Sequence, residues 1–420
     1  MKLKPIINSL LETDAYKFSM GNVIFKRFND YTTTWSFKCR NNDVKFTDEM
    51  IQEIREQVDH YCTLRFTDNE LNWMKINLPW ISEGYINYLK FWHPVRNEIF
   101  IQQPNELFGN DIVCKPYNDC GLAIEARGTW LNTSMYEIAI LAIVNEVYFS
   151  FKYDIKEKEE IFKQKTIEKF NKLNKTVFGP QNGYYNIGVF SEFGMRRRLS
   201  KDSQDWLIKY ITENKINGFV GTSNVYLAKK YNVKAVGTQA HEYIMCTGQC
   251  YPKHNPAYSN YYAMRAWVDE YKTLNGIALT DTITTNCFLK DFDLTFATLF
   301  SGVRHDSGDP IEWGEKIIKH YESLNIDPKT KTLLFSDSLD FEKATKIYNH
   351  FKNKCKVAFG IGTYLAGIQD ETPLNIVMKV TECNGLPCAK ISDCSGKSMC
   401  RDNAYVDYLN KCIEWRLTHN

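Results

Sequence analysis

The chain has 420 residues, of which 52 are basic and 50 acidic, with a formal net charge of +2, 44% hydrophobic residues and 24% charged residues. This balance is typical of globular proteins; it excludes a disordered or collagen-like chain and argues against a nucleic-acid partner. At about 150 residues per domain, a chain of this length should fold into two or three packed units.

The N-terminal third predicts an α+β unit without a repeating pattern. Its predicted elements are amphipathic helices over 47–62 and 68–74 and strands near 32–39 and 98–103. A helix over 133–148 and a charged stretch at 156–160 connect this unit to the second half of the chain. From residue 374 the pattern alternates as in strands, so we expect the tail to fold back onto the first unit.

From about residue 184 the chain repeats a short β-branched or aromatic run followed by a helical pattern. The predicted strands are 185–190, 216–220, 233–236, 277–279, 302–304, 332–335 and 357–359. Such βα units predict a parallel barrel or a doubly wound sheet. We therefore predict an α/β fold with an N-terminal α+β domain over 1–130, completed by 370–420, and a barrel domain over 131–369.

No segment is apolar for long enough to predict a membrane span. The longest apolar run, residues 138–144, is far shorter than the roughly 20 residues that cross a bilayer. Near the start, Asn8, Glu12 and Asp14 interrupt the apolar stretch that a signal peptide needs. We expect a cytoplasmic protein with no membrane partner.

Polar and glycine residues follow each strand of the repeating region. The carboxyl ends of parallel strands form the binding face of such folds, so these residues predict one ligand site. Gly, Ser, Thr and Asp are also ordinary loop and cap residues, which explains any single loop better than all of them together. The residues are Glu192 to Arg198, Gly221-Thr222-Ser223-Asn224, Gly237-Thr238-Gln239-Ala240-His241-Glu242, Thr280-Asp281-Thr282, Arg304-His305-Asp306-Ser307-Gly308-Asp309, Ser336-Asp337-Ser338 and Gly360-Ile361-Gly362-Thr363.

The last of these loops, residues 360–363, is suited to a phosphate. Its glycines allow close backbone approach, and amide groups at a helix start donate to an anion. Ser336, Ser338 and Thr363 add hydroxyl donors. Asp281 and Asp306 offer carboxylates to sugar hydroxyls or to a hydrated Mg2+, or else they cap helices.

His241 and the arginine run 196–198 leave more than one role open. His241, beside Glu242 in a strand-to-helix loop, can act as a base, as a nucleophile or as a hydrogen-bonded spacer. The arginines form either a solvated basic turn or a contact with anionic substrate groups.

The chain has 13 cysteines. In a chain of this size without a predicted secretion signal, we expect reduced thiols. Cys383, Cys388, Cys394 and Cys400 form no Cys-x-x-Cys motif and have no histidine among them, so we predict no metal cluster there.

Six motifs together resemble those of the nicotinate phosphoribosyltransferase family. They are Thr13-Asp14-Ala15-Tyr16-Lys17, Phe193-Gly194-Met195-Arg196-Arg197-Arg198, Gly221-Thr222-Ser223-Asn224, Gly237-Thr238-Gln239-Ala240-His241-Glu242, Arg304-His305-Asp306-Ser307-Gly308-Asp309-Pro310 and Gly360-Ile361-Gly362-Thr363. The likeness extends from about residue 10 to residue 410, and the combination is specific although no single motif is. It implies a type II phosphoribosyltransferase fold, which is an irregular, incomplete α/β barrel with an N-terminal α+β domain.

The resemblance also implies an activity. Members join nicotinate to 5-phosphoribosyl 1-pyrophosphate and release nicotinate mononucleotide and pyrophosphate, the first step of NAD salvage from nicotinate. ATP is a co-substrate whose hydrolysis is coupled to turnover, so the reaction is a ligation overall and a glycosyl transfer by chemistry. Mg2+ as cofactor and a homodimer with shared active sites are implied as well.

Carried over to this chain, the resemblance implies that ATP phosphorylates His241 and that Glu242 orients it. Phe193 would stack on the nicotinate ring, and Tyr16 would reach that ring from a second subunit. Asp306 and Asp281 would lie near the ribose, with Asp281 as an Mg2+ ligand. Further substrate contacts are implied for Arg196, Thr222, Ser223, Thr238, Arg304, Ser336, Asp337, Ser338, Gly360, Gly362 and Thr363, and pyrophosphate or ATP contacts for Arg40, Lys379, Lys390 and Lys397.

The residues leave several alternatives open. The nicotinamide-using enzyme carries an aspartate where this chain has Ser223, and a carboxylate there would repel nicotinate. Quinolinate phosphoribosyltransferase would need more cations for a second carboxylate. A non-catalytic phosphosugar- or nucleotide-binding homologue would be expected to lack His241, Arg304 or Asp306. A barrel aldolase or isomerase would need a Schiff-base lysine or a carboxylate base at a strand end, and no lysine directly follows these strands.

Overall fold

Two β-sheets organise the protein. The computed structural model describes residues 3–104, 120–174, 185–250, 255–394 and 400–419. The strands are β1 (Thr32–Cys39), β2 (Ile99–Gln102), β3 (Ala123–Thr129), β4 (Val189–Glu192), β5 (Phe219–Thr222), β6 (Lys234–Ala235), β7 (Ile277–Leu279), β8 (Gly302–His305), β9 (Thr332–Phe335), β10 (Lys356–Ile361), β11 (Ile376–Cys383) and β12 (Leu386–Pro387). One sheet is antiparallel with the order β12-β11-β1-β3-β2, and the other is parallel with the order β6-β5-β4-β10-β9-β8-β7.

Helices cover both sheets. They are α1 (Ala15–Arg27), α2 (Asp48–Thr63), α3 (Asp68–Asn77), α4 (Glu83–Phe91), α5 (Trp130–Thr133), α6 (Tyr136–Lys152), α7 (Ile155–Asn174), α8 (Lys201–Glu213), α9 (Val225–Tyr231), α10 (His241–Ile244), α11 (Ser259–Tyr271), α12 (Thr285–Asp291), α13 (Leu294–Leu299), α14 (Pro310–Ser323), α15 (Phe341–Phe351), α16 (Thr363–Ala366) and α17 (Asn403–Thr418). A π-helical turn, Met245–Gln249, directly follows α10.

Cap residues in the sequence determine where several helices begin. The Thr67 hydroxyl accepts a hydrogen bond from the Glu70 amide while the Glu70 carboxylate accepts one from the Thr67 amide, a capping box at the start of α3. At α14 the Asp309 carboxylate accepts from the amides of Ile311 and Glu312, both at 2.9 Å. Pro310 occupies the first helical position, where its missing amide hydrogen costs nothing.

The parallel sheet confirms the predicted repeat. Each of its seven strands overlaps a predicted one, and β7 and β9 coincide with the prediction residue for residue. In the described residues β6 and β7 are the two ends of the strand order, so the sheet is an open, incomplete barrel. Because every pairing in it is parallel, the carboxyl ends of all seven strands lie at one rim.

The antiparallel sheet contains one strand that the sequence pattern hides. β3 pairs with β1 and β2, and its residue Glu125 interrupts an otherwise apolar run. The Glu125 carboxylate is buried, and it accepts from Arg127 and from Arg401 of the tail. A buried carboxylate needs such partners, and one of them lies far along the chain, so periodicity alone does not reveal the strand.

The C-terminal tail divides between the two parts of the fold. β11 pairs antiparallel with β1, which confirms that the tail returns to the first unit. The final helix α17 packs elsewhere: Leu409 and Ile413 pack with Ala257 and Cys287 of the barrel side. The domain boundaries near residues 130 and 370 stay predictions.

The most apolar helical segment of the protein is interior. Trp130–Lys152 is long and apolar enough for a membrane span by length and composition, but 89% of its 18-residue window is buried inside the fold. Within it, α6 packs against α2 and β11. It is therefore a core helix that carries the N-terminal unit against the barrel.

The charged stretch at 156–160 lies in a helix. These residues belong to α7, which spans Ile155–Asn174. Phe162 and Phe170 of this helix are fully buried while most of its charged side chains face outward. Two buried rings are too few to give a clear apolar stripe, which explains why periodicity did not reveal this helix.

Candidate active site

His241 begins α10, and three polar side chains contact its imidazole. Its Nδ1 lies 3.0 Å from Thr282 Oγ1, and its Nε2 lies 2.9 Å from both Asp306 Oδ2 and Lys390 Nζ. His241 is only 4% exposed. Thr282 and Asp306 follow strands of the parallel sheet, whereas Lys390 comes from the tail, so both regions build this site.

The imidazole is neutral at pH 7. Burial, together with the positive charge of Lys390, lowers the pKa of His241 to about 4. Burial opposes ionisation of Asp306, but its hydrogen bond with His241 and the charges of Lys390 and Arg304 outweigh that and hold the pKa of this carboxyl well below its usual range. Asp306 can therefore only accept and Lys390 can only donate, so Nε2 either donates to Asp306 or accepts from Lys390.

A cation already occupies the centre of this group. His241, Asp281 and Asp306 place their ligand atoms within 4.8 Å of one another, which is a spacing suited to a metal ion. The Lys390 ammonium nitrogen, however, lies 3.1 Å from Asp281 Oδ2 and 3.7 Å from Asp306 Oδ2. Mg2+ demands octahedral oxygen ligation, which a nitrogen ligand beside an ammonium group does not offer. The expected Mg2+ ligation by Asp281 does not fit this arrangement.

Asp281 is positioned to accept from a ligand instead. Its Oδ2 accepts from Ser307 Oγ at 2.5 Å as well as from Lys390. Its Oδ1 is buried and finds no donor among the described residues. A buried acceptor without a donor is costly, so this oxygen is a ready partner for a substrate hydroxyl. We call His241, Asp281, Asp306 and Lys390 the histidine pocket.

Glu242, the residue after His241, has buried partners of its own. Its Oε1 accepts from Lys17 Nζ at 2.7 Å and from Ser134 Oγ at 2.9 Å, while its Oε2 has no hydrogen-bond partner among the described residues. Lys17, fully buried, also lies 2.8 Å from Glu137 Oε2. This ionic group ties α1, α6 and α10 together and so holds the helix that presents His241.

Arg304 and His241 both interact with the carboxylate of Asp306. Arg304 projects from β8, and its charge helps to lower the pKa of Asp306, the residue that contacts His241. Both side chains therefore belong to one site. Within the described part of the chain, the buried Nε of Arg304 has no acceptor, as expected for a group that awaits an anionic ligand. The Thr238 hydroxyl binds within the protein, where it donates to the Ile277 carbonyl at 2.9 Å.

Phe193 is held at the carboxyl ends of β4 and β10. Its amide donates to the Ile361 carbonyl at 2.9 Å. A Cβ added to Gly360 would lie 2.2 Å from the Phe193 ring, and one added to Gly362 would lie 2.9 Å from the Phe193 carbonyl oxygen. Both glycines are therefore required for the approach of Phe193, independently of any phosphate.

The predicted phosphate loops lie along the same rim. Ser336 Oγ donates to the His305 carbonyl at 2.9 Å and lies 3.3 Å from Asp306 Oδ1, and the exposed Ser338 contacts Asp337 Oδ1 at 3.1 Å. The helix that starts at Thr363 has only four residues, so it offers a single turn of amide donors. A phosphate site at these loops stays a prediction.

Thr222, the last residue of β5, and Ser223, which follows it, bind carboxylates of the protein itself. Ser223 Oγ donates to Asp14 Oδ1 at 2.6 Å, and Thr222 Oγ1 donates to Glu192 Oε2 at 2.6 Å. Burial raises the pKa of Asp14 above its usual value and raises the pKa of Glu192 to about 7. The carboxyl group of Asp14 therefore lies directly beside Ser223.

The chain's own Tyr16 also lies at this rim. A Cβ on Gly237 would come within 2.9 Å of the Tyr16 backbone nitrogen, and the amide of Ala15 donates to the Ser223 carbonyl at 2.8 Å. A β-bridge between Asp14 and Asn224 holds the start of α1 against the barrel of the same chain. The supply of a Tyr16 by a second subunit stays a prediction.

Four cations converge on one side of the site. We call Arg40, Arg196, Arg197 and Lys379 the basic cluster. Burial and the charges of Arg196 and Arg40 lower the pKa of Arg197 to about 9. Burial also lowers the pKa of Lys379 to about 8; the charge of Glu137 opposes this shift and the charge of Arg196 adds to it. Among the described residues the buried Nε atoms of Arg40 and Arg197 have no acceptor. Crowded like charges at half-buried positions favour an anionic ligand.

The three consecutive arginines of the sequence do not all lie in the basic cluster. Arg198 turns into the core, where its Nε lies 2.7 Å from Glu146 Oε1 and its Nη1 lies 3.1 Å from Glu12 Oε2. Lys397, the remaining predicted cation, lies outside the described residues.

Sequence reasoning gave no individual role to several residues that support the site. Lys17 stands in one of the quoted motifs and Glu192 ends β4, whereas Glu137 interrupts the apolar stretch of α6. A charge within an apolar segment requires a partner in the folded protein, so this interruption was the available signal. Thr282 and Ser307 gave no such signal, because loop hydroxyls are common.

The comparisons with known proteins agree along the whole chain. The nicotinate phosphoribosyltransferase N-terminal domain model matches residues 11–145, and the nicotinate phosphoribosyltransferase family model matches residues 189–415. A curated nicotinate phosphoribosyltransferase from Ralstonia nicotianae is 40% identical over 97% of this chain and 98% of its own length. One from Xylella fastidiosa is 38% identical over 97% of each chain.

Solved structures show the same fold. A nicotinate phosphoribosyltransferase from Porphyromonas gingivalis has a TM-score of 0.83 and 32% identity, covering 97% of this chain and all of its own. A putative one from Saccharomyces cerevisiae has a TM-score of 0.84 and 33% identity, covering 99% of this chain and all of its own. With two family models and full-length relatives in agreement, the chain belongs to the nicotinate phosphoribosyltransferase family.

Proposed function

We propose that this protein forms nicotinate mononucleotide and pyrophosphate from nicotinate and 5-phosphoribosyl 1-pyrophosphate, the first step of NAD salvage from nicotinate. The observation that carries the proposal is the neutral imidazole of His241 between Asp306 and Lys390, beside the basic cluster. Relatives 40% identical over nearly the whole chain bear the name of this activity, which supports it.

The transfer breaks the bond from ribose C1 to pyrophosphate and forms one from C1 to the nicotinate ring nitrogen. Because the transition state resembles a cation, catalysis consists mainly of alignment and of neutralising the departing pyrophosphate. In our proposal the basic cluster binds the pyrophosphate and Asp281 Oδ1 accepts from a ribose hydroxyl. Phe193 stacks on the pyridine ring while Arg304 pairs with its carboxylate.

We further propose that His241 is the phosphoryl acceptor for ATP. The lone pair of Nε2 forms the bond to the γ-phosphorus while the bond to the β–γ bridging oxygen breaks and ADP leaves. Lys390, 2.9 Å from Nε2, is close enough to offset the charge of the new phosphoryl group. Mg2+ enters this proposal only as the ion that accompanies the phosphates of the two substrates.

The proposal extends to a cytoplasmic homodimer with shared active sites. Light scattering on the purified protein measures the oligomeric state directly. A fully active monomer would remove the shared-site part of the proposal and leave the reaction intact.

Incubation of the purified protein with nicotinate, phosphoribosyl pyrophosphate, Mg2+ and ATP tests the reaction. We expect nicotinate mononucleotide by chromatography, with a much lower yield when nicotinamide replaces nicotinate. Formation of no mononucleotide, or equal use of nicotinamide, would overturn the proposed function. Parallel assays without ATP measure the coupling.

A further inference from the structure

The backbone on both sides of Lys390 is held by other parts of the fold. Lys390 is 5% exposed, and its ammonium nitrogen lies 2.9 Å from His241 Nε2. A lysine side chain is a flexible four-carbon stem, so the place of its charge depends on where the backbone is fixed. The two neighbours of Lys390 in the chain, Ala389 and Ile391, make the contacts that fix it.

Ile391 pairs with the loop that follows β7. Its amide donates to the Thr282 carbonyl at 2.7 Å, and its carbonyl accepts from the Thr284 amide at 3.0 Å, which makes a parallel bridge. The Thr282 hydroxyl also lies 3.0 Å from His241 Nδ1. One side of Lys390 is therefore tied to the loop that contacts the other nitrogen of the imidazole.

Ala389 is bound by a side chain, that of Gln249. The Gln249 Oε1 accepts from the Ala389 amide at 2.8 Å, and the Gln249 Nε2 donates to the Ala389 carbonyl at 2.7 Å. Tyr405 Oη donates to the same Oε1 at 3.1 Å. Because a backbone amide only donates and a carbonyl only accepts, these contacts fix the orientation of the Gln249 amide group. Gln249 is 6% exposed and Ala389 is fully buried.

Gln249 and His241 lie at the two ends of one short helical segment. α10 begins at His241, and the π-helical turn that follows it ends at Gln249. π-helical turns are rare and occur frequently at functional sites. The segment thus carries the imidazole at its start and, at its end, the side chain that binds the backbone next to Lys390.

We propose that Gln249 is a positioning residue, which holds the Lys390 ammonium beside His241 and so speeds the phosphorylation of His241. The inference rests on the proposed role of His241 as phosphoryl acceptor. Without the Gln249 side chain, the buried amide and carbonyl of Ala389 lose their partner, which is costly. The segment would shift to regain hydrogen bonds, and a shift of about 1 Å at a reacting group can lower a rate about 100-fold.

Gln249→Met tests the proposal, because methionine has a similar length and volume but cannot donate to a carbonyl. We expect labelling of His241 from γ-labelled ATP to slow by roughly 10- to 100-fold, while nicotinate affinity stays unchanged. The matched control is Gln57→Met, at a buried side chain that accepts from the Ile6 amide at 2.9 Å and donates to the Lys4 carbonyl at 3.3 Å. This control should label at the wild-type rate. The same rate in Gln249→Met would contradict the proposal.

A double-mutant cycle shows whether Gln249 acts through Lys390. Lys390→Ala should slow the labelling, and adding Gln249→Met to it should slow it no further, since the charge to be positioned is gone. Losses that multiply in the double variant would give Gln249 only a general role in folding and reject the proposal. If Gln249→Met does not fold, Gln249→Glu takes its place, because it keeps the acceptor for the Ala389 amide and loses the donor to the carbonyl.

The protonation of His241 gives a measurement that does not depend on ATP. Burial and then the charge of Lys390 lower the pKa of His241, while the carboxylates of Asp281 and Asp306 raise it. Displacement of Lys390 should therefore raise this pKa, which NMR titration of histidine-labelled protein measures, with His241→Ala to assign the signal. An unchanged pKa in Gln249→Met would exclude the positioning of Lys390 by Gln249. Wild-type protein that takes up no phosphoryl label would instead defeat the proposed phosphoryl transfer, and the titration would then decide the placement of Lys390 by itself.

Discussion

The histidine pocket and the basic cluster lie at the same rim but balance their charges in opposite ways. In the pocket, Lys390 lies within 3.1 Å of Asp281, and Asp306 contacts His241, so cation and anions compensate one another. In the basic cluster, Arg196 lowers the pKa of Arg197 and of Lys379, and the nearby carboxylate of Glu137, 3.8 Å from Arg196, already pairs with Lys17.

This difference indicates which step each region serves. The pocket is organised by the protein's own contacts, which suits a group that must be positioned for covalent chemistry. The cluster is unfavourable without a ligand, because like charges crowd together at partly buried positions. An anion would relieve that repulsion, so binding free energy should come mainly from the cluster.

The largest expected effect comes from removing the imidazole of His241. His241→Ala should abolish acid-labile labelling from γ-labelled ATP and uncouple ATP hydrolysis from mononucleotide synthesis, because it removes the imidazole that lies between Asp306 and Lys390. His350→Ala, at an exposed position on α15, is the matched control and should label normally. Labelling that persists in His241→Ala would move the phosphoryl acceptor elsewhere.

A second test concerns Arg304, whose charge acts on Asp306 of the histidine pocket. Arg304→Ala should weaken nicotinate binding by roughly 10- to 150-fold, since a charge-assisted pair is worth about 1.5 to 3 kcal/mol. ATP affinity should change little. Binding of each ligand by calorimetry separates the two outcomes, and unchanged nicotinate affinity would take Arg304 out of the base pocket.

A third test uses the pH dependence of the basic cluster. Burial lowers the pKa of Lys379 to about 8, so its charge is present below that pH and is lost as the pH rises through it. The kcat/KM for phosphoribosyl pyrophosphate should therefore fall roughly tenfold at high pH, the worth of one charge-assisted contact.

Lys379→Arg keeps its charge over this range and should flatten the profile. Lys346→Arg, at an exposed lysine paired with Glu342, should leave the profile unchanged. A wild-type profile without any decline near pH 8 would separate Lys379 from the pyrophosphate.

The smallest expected effect concerns Ser223. Its hydroxyl is bound to Asp14, so Ser223→Ala should lower the free energy of unfolding by about 1 to 2 kcal/mol through the lost hydrogen bond. The preference for nicotinate over nicotinamide should stay the same. Denaturant unfolding and paired assays measure both quantities, with Ser323→Ala, at an exposed position of α14, as control. A changed preference at unchanged stability would return Ser223 to the substrate site.

Patterns that are local in the chain predicted a large part of the fold. The parallel strands depend on neighbours within a few residues, which periodicity and side-chain type reveal. The six motifs likewise marked the loops that the sheet gathers at one rim. Strand β3 was not predicted, because its buried Glu125 is neutralised partly by Arg401, which lies far along the chain.

Composition, periodicity and motif order were enough to establish the α/β class, the seven parallel strands, the rim that carries the site and the family. Folding alone decided which polar groups meet: Lys390 at the centre of the carboxylates, Asp14 beside Ser223 and Arg198 in the core. Electrostatic contacts depend on distances of a few ångströms between segments far apart in the chain, and no local pattern encodes those distances.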